Sequence, residues 1–272
     1  EQLDSILSQS IQDFELVLSS FVLEGDCPLD YPIQPKRHSA EFLREQAYLR
    51  PRTNLFQAVF RVRSIAALAI HTYFGERGYV YVNTPLITAN DGEGAGEMFQ
   101  VTTLDLDRIA KEGKVDYSKD FFGKPAALTV SGQLQAETFA LTYKKTYTFG
   151  PTFRAENSNT KTHANEFWMI EPEMAFADLE DDMDLMEDMV KYCINYIQEN
   201  CPEEMKFFGE MIDKSLAERL DHVMKTDFRK LPYTEAIEIL KNADVEFENN
   251  NIYWGMDLNT EHSLPGYGRK LP

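Results

Sequence analysis

Cysteine is scarce and uneven in this chain. Cys27, Cys193 and Cys201 are an odd number without metal-type spacing, which argues against a disulfide framework or a zinc site and points to a reducing compartment. Positive charge is scarce too: 27 Lys and Arg face 45 Asp and Glu, and a net charge of −18 argues against a surface that seeks nucleic acid or anionic membrane as a whole, while leaving room for a local patch. No apolar run reaches the roughly 18 residues needed to span a bilayer, and no stretch has the apolar centre of a secretion signal. The expectation is a soluble, cytoplasmic protein with no membrane partner and no metal site read from its residues. What the chain does have is apolar and aromatic side chains, 43% and 12% of its 272 residues, enough for one large domain or a large one with a small appendage.

The stretch from Thr146 to Phe176, TYTFGPTFRAENSNTKTHANEFWMIEPEMAF, reads as two strands joined by a polar loop. Alternation puts Thr148, Thr152, Arg154 and Glu156 on one face of the first limb and Met169, Glu171, Glu173 and Ala175 on one face of the second. The opposite faces carry Phe149, Phe153, Trp168, Ile170, Met174 and Phe176. One guanidinium among three carboxylates on a rigid strand pair reads either as a solvated sheet face with incidental ion pairs or as a polar site. The loop from Asn157 to Asn165, with His163, favours the site, because Arg suits planar capture of carboxylate or phosphate.

Around this stretch the chain divides as follows. Residues 1–26 mix a short amphipathic helix in LDSILSQSI with a strand-like FELVLSSFVLEG, an expected remnant of an N-terminal module. Pro28, Pro32 and Pro35 make 27–35 an extended linker. Then Lys36, Arg37, Arg44, Arg50, Arg52, Arg61 and Arg63 face only Glu41 and Glu45, which fits a solvated helix surface and a phosphate-backbone contact equally. The spacing predicts a broad apolar helix from Asn54 to Phe74, ended by Gly75 and Gly78, then a strand over Tyr79 to Ile87 that Pro85 confines to an edge or a subunit boundary. Residues 91–98, DGEGAGEM, lack the spacing of a phosphate-cradling or dinucleotide loop and read as an ordinary mobile loop or a lid, with Glu93 and Glu97 able to meet a cation. A helix expected at Leu106 to Glu112 precedes a short buried strand at Ala126 to Val130. Ser131 and Gly132 lead into a helix from Gln133 to Leu141 whose first turn, with Gln133 and Gln135, suits a small anionic or amide-bearing ligand. Asp178 caps a helix to about Asn200 with Leu179, Met183, Met186, Val190, Ile194 and Ile197 inward, and Met205 to Met224 and Tyr233 to Ala243 look helical.

With FRAE, HANEF and WMIEPE in place, the chain resembles the class II aminoacyl-tRNA synthetases of the aspartyl/asparaginyl subgroup. The resemblance runs from about Asp30 to His262 through LRPRTN, TPLIT, EGAGEMF, DFFGK, LTVSGQL and WGMDLNTEH. It implies an α/β fold of the α+β type, an antiparallel sheet flanked by helices over 36–272, with 1–26 a remnant of an OB-like anticodon-binding barrel. It implies an asparagine-activating ligase that uses ATP and Mg2+, with L-asparagine and the asparagine tRNA as substrates and a homodimer formed through the long helix and the strand ending at Pro85. By position, Arg154 bridges the amino-acid carboxylate and the α-phosphate. Glu156, Thr162, His163 and Phe167 complete the ATP site, and Lys161 stands where many relatives have a phosphate-contacting arginine. Glu93, Gln133, Gln135, Ala136, Glu171 and Glu173, with Arg154, form the amino-acid site. Ala136 stands where aspartate-specific relatives carry a lysine, which favours asparagine over aspartate. A third motif, with its second adenine-clamping arginine and late metal-binding acids, should follow WGMDL, where this chain runs SLPGYGRKLP. An aspartate-activating relative and a truncated, non-catalytic RNA-binding or dimerising relative remain the alternatives.

Overall fold

The computed structural model describes residues 19–92, 97–157, 163–243, 247, 251–258 and 262. Its contacts divide the chain into two compact units, 1–57 and 58–272.

In the first unit, helix α1 (Ala40–Glu45) starts at Ser39, whose hydroxyl accepts from the Phe42 N–H at 3.2 Å. Arg52 donates to the Tyr31 hydroxyl at 3.1 Å, and Arg50 lies over the Phe56 ring, so two of the seven basic residues are engaged within the unit. Residues 19–26 form no strand or helix, and Phe21, Val22 and Leu23 are exposed, so the described part of the expected barrel remnant shows no barrel strand. The LDSILSQSI helix lies outside the described residues.

Helix α2 (Asn54–Glu76) runs through Gly75 and stops at Gly78, whose φ of 75° is open to glycine at little cost; the Tyr79 N–H then bonds the Phe74 carbonyl at 3.0 Å. The expected strand over Tyr79 to Ile87 is two short pieces, β1 (Val80–Tyr81) and β2 (Ile87–Thr88), because the segment around Pro85 leaves one sheet and joins another. β2, β4 (Ala126–Leu128) and β3 (Gln100–Val101) form an antiparallel sheet in the order β2-β4-β3. Between them α3 (Leu106–Glu112) matches its expected span.

The main sheet has the order β1-β5-β6, with β1 parallel to β5 (Lys145–Phe153) and β5 antiparallel to β6 (Glu166–Met174). Thr148 faces Glu171 and Thr146 faces Glu173, so the polar face expected from alternation forms as one surface. Hydrogen bonds from the Arg154 N–H to the Asn165 carbonyl and from the Ala175 N–H to the Lys144 carbonyl put even β5 residues in the bonded pairs. Pro151 and Pro172 fall in the alternate pairs, where the missing N–H points away from the ladder. The aromatic face packs against α2 and α5 (Leu179–Asn200) in a cluster of Ile70, Tyr73, Phe74, Tyr79, Tyr147 and Phe149, with Ile170, Met174, Leu185 and Met189 against it. Phe176 is not part of that face: β6 ends at Met174 and Phe176 is 94% exposed, at a φ of 67°.

On the other face lies α4 (Gln133–Tyr143), whose Ala136 and Ala140 are buried, small enough to let the helix sit close to the sheet. α5 starts at Asp178 with a capping box closed by Asp181. Leu179 and Met186 are exposed rather than inward, and Leu185, Met189, Tyr192 and Cys193 take the core positions. Met205 to Met224 is two helices, α6 (Pro202–Met211) and α7 (Leu216–Lys225), separated where Asp213 caps a turn through the Ser215 N–H. α8 (Tyr233–Lys241) completes the described elements.

Candidate active site

Arg154 extends the polar face just beyond the end of β5. The residue is half-buried and its guanidinium lies over the Phe167 ring, 5.6 Å from the centroid, so two residues expected to serve one ligand are brought together. Asn165 holds this end: its carbonyl accepts from the Arg154 N–H at 3.0 Å, and its amide donates to the carbonyls of Arg154 (2.8 Å) and Glu156 (3.2 Å). Sequence reasoning passed over Asn165; its place between HA and EF, opposite Arg154, was the available signal. Glu156 is half-buried and His163 exposed. The Ala155 N–H bonds the Glu97 carbonyl at 2.7 Å, so the chain following the glycine-rich loop is tied beside Arg154. Glu93, Lys161 and Thr162 lie outside the described residues. Among the described residues no ion pair joins Arg154 to Glu156, Glu171 or Glu173.

Further along the same face, Glu171 reaches under the N-terminus of α4. One carboxylate oxygen accepts from the Ser131 hydroxyl in a short contact, and the other accepts from the Gly132 N–H at 3.1 Å and the Thr148 hydroxyl at 2.8 Å. The Ser131 hydroxyl oxygen in turn accepts from the Gln133 N–H at 3.1 Å. The Gln133 amide donates to Glu137 at 3.0 Å, which leaves its carbonyl oxygen as the end that can accept from a ligand. Gly132 is there for space: a Cβ would lie 2.6 Å from the Thr84 hydroxyl and 3.1 Å from a Thr148 methyl. Gln135 is half-buried, whereas Ala136 is fully buried, with its carbonyl accepting from the Thr146 hydroxyl at 3.4 Å. Glu173 is pushed up to about 7, first by burial and then by the neighbouring charges of Glu137, Glu171 and Asp182.

Glu171 and Phe167 are four residues apart on β6, roughly 13 Å along the strand, which is the scale of an amino acid joined to a nucleotide. A cavity of about 190 Å³ adjoins this face where β1 leaves β5, lined in part by Thr84, Gly132, Thr148, Thr152, Trp168 and Glu171. Neither Arg154, Phe167 nor Gln133 lines it, so it lies behind the Glu171 end of the polar face rather than over the guanidinium. Among the described residues no group of three or more His, Cys, Asp or Glu could hold a metal ion, and no helix is long and apolar enough to cross a membrane.

The family model described as tRNA synthetases class II (D, K and N) matches residues 39–264. An asparagine–tRNA ligase of Clostridium botulinum is 61% identical over 253 residues, 92% of this chain and 54% of that protein. One of Desulfitobacterium hafniense matches to the same extent. The chain thus spans about half the length of the curated relatives it matches. Among solved structures, asparaginyl-tRNA synthetase from Pyrococcus horikoshii complexed with asparaginyl-adenylate aligns with a TM-score of 0.66 at 28% identity, over 83% of this chain and 45% of that one. The Entamoeba histolytica enzyme shares the fold with a TM-score of 0.68 at 19% identity, over 88% of this chain and 48% of that one. A polar hairpin face of this geometry, on a chain matched by that family model over most of its length, makes this chain a member of the class II tRNA synthetases of the D, K and N group.

Proposed function

We propose that this chain carries the amino-acid-activating part of an asparagine–tRNA ligase, which joins L-asparagine to ATP and then to the asparagine tRNA. The observation that carries the reading is Arg154, a half-buried residue whose guanidinium lies over Phe167 with no ion pair to Glu156, Glu171 or Glu173. In the first step an asparagine carboxylate oxygen attacks the α-phosphorus of ATP; the bond to the β,γ-phosphates breaks, and pyrophosphate leaves with the electron pair. Two anions must approach, and a fixed guanidinium offsets both as charge develops. In the second step a 3′-terminal ribose hydroxyl of the tRNA attacks the carbonyl and AMP leaves.

The remaining residues divide along the strand. Phe167 offers a face for adenine, Glu156 an acceptor for its amino group, and His163, with Lys161 and Thr162, reaches the outer phosphates. Gln133 offers its free carbonyl oxygen to the substrate ammonium, with Gln135 beside it. Glu171, Glu173 and Glu93 supply the negative potential that favours that cation. Magnesium belongs to this reading as the partner of the ATP phosphates, with no ligand assigned to this chain. The homodimer belongs to it through α2 and β1, and the cytoplasm as the place of translation. Residues 27–35 serve as the linker between an N-terminal tRNA-binding module, which 1–26 would end, and the catalytic domain of 36–272.

Aspartate activation is the second reading, and Ala136 argues against it: the place is fully buried and carries no cation for a second carboxylate. ATP–pyrophosphate exchange tests both. Exchange with asparagine should exceed that with aspartate, and Arg154→Ala should lower it by about 10²–10³-fold, the cost of removing one transition-state donor. Greater exchange with aspartate would reject the substrate, and undiminished exchange in Arg154→Ala would remove that residue from the chemistry.

A further inference from the structure

The N-terminus of a helix is a place for an anion, and at α4 that place is already taken from within the protein. Gly132, which precedes the helix, has no side chain to cap it. The Glu171 carboxylate arrives instead from β6, accepting from the Gly132 N–H and the Ser131 hydroxyl, and Ser131 satisfies the Gln133 N–H. A carboxylate on these donors also meets the positive end of the helix dipole. Its orientation is set by Thr148, which is 4% exposed, sits directly across the ladder, and gives its hydroxyl proton to the oxygen that also holds Gly132. The turn is closed from its other side by Thr129, whose hydroxyl donates to the Ser131 carbonyl at 2.6 Å. Thr84 packs so closely on Gly132 that the turn has no room to shift that way.

We propose that Thr148 and Glu171 are positioning residues: Thr148 fixes the Glu171 carboxylate, Glu171 caps α4 across the sheet, and together they hold the Ser131–Gly132 turn so that Gln133 presents its carbonyl oxygen to the substrate. Three of the four lone-pair directions of Glu171 are taken within the protein, which fixes its carboxylate and leaves one direction for a ligand. This rests on the function proposed above for the identity of the ligand, but not for the existence of the clamp.

The test therefore has two readouts on the 272-residue chain. The first is amide hydrogen exchange across 129–137. Thr148→Val keeps the shape and removes the hydroxyl, and it should speed exchange at Gly132 and Gln133 by about tenfold or more, the scale of a lost hydrogen bond to a charged group. Exchange in α5 and α8 should stay unchanged, and Thr148→Ser should restore the native rate. The second is affinity for the sulfamoyl analogue of asparaginyl-adenylate, which Thr148→Val should weaken by about tenfold while affinity for ATP alone stays within error. Unchanged exchange at 129–137, or faster exchange throughout the chain, overturns the clamp; faster local exchange with unaltered analogue affinity overturns its role in positioning. Failure of the unsubstituted chain to bind the analogue counts against the proposed function, and the exchange result still decides the clamp.

Discussion

Glu173 shows how one side chain carries the cost of the acidic face. Burial and the charges of Glu137, Glu171 and Asp182 push its carboxyl up to about 7 from an ordinary value of 4.5, so the fold favours the protonated acid. The unfolded chain therefore binds fewer protons between those two values, and the stability this group contributes is complete below about 4.5 and is lost as pH rises through about 7. Glu173→Gln, which stays neutral, should raise the melting temperature at pH 8 and leave it nearly unchanged at pH 4. Equal shifts at both pH values would mean that charge is not the cause. Under the proposed function this cost has a use, since a cationic substrate ammonium near Glu171 and Glu173 would offset the crowding of like charges.

At the scale of elements, what could be read from the sequence was what is local. Asp178 and Asp181 sit next to the first turn they cap, and α5 begins and ends where its residues indicate, with the Glu180 N–H donating to Asp178 at 2.9 Å. Asp178→Ala should cost about 1 kcal/mol, or a few degrees of melting temperature in a domain of this size, and Asp178→Ser should recover most of it because it still accepts from the first turn. Equal losses in the two variants would show that the cap does not depend on that acceptor. The hairpin was legible for the same reason: two-residue alternation fixes which face each residue takes, and the observed register, which alternation leaves open, sets Thr148 across from Glu171 on the expected face. What alternation cannot give is a partner from elsewhere in the chain. The parallel pairing of β1 with β5 and the cap that Glu171 places on α4 join residues whose proximity exists only after folding. Leu179 and Met186 failed as core residues because a broad apolar stripe does not say which of its edges meets the sheet. The break between α6 and α7 followed from a side-chain turn at Asp213 and Ser215 that competes with the helix ladder.

For the whole molecule the dominant electrostatic fact is excess negative charge. With 45 acidic against 27 basic side chains, even complete pairing of every Lys and Arg would leave 18 carboxylates without a cation. The observed pairs are mostly on the surface: Lys230 bridges Glu180 at 2.6 Å and Asp184 at 2.7 Å, and Arg77 reaches Asp188 at 2.9 Å while stacking on Tyr73, 3.8 Å from its ring centroid. Pairs of this kind are worth little individually and weaken with salt, whereas repulsion among surplus carboxylates acts over the whole surface and is screened by the same ions. The two effects oppose each other, and the surplus decides the sign. Raising sodium chloride from about 20 mM to about 300 mM shortens the screening length from roughly 20 Å to below 10 Å, so distant like charges cease to act while contacts under 4 Å persist. The melting temperature should therefore rise, by about 2–5 °C for a chain of this size. A fall over the same range would mean that the surface pairs outweigh the repulsion, and that the acidic balance is matched locally rather than borne by the fold.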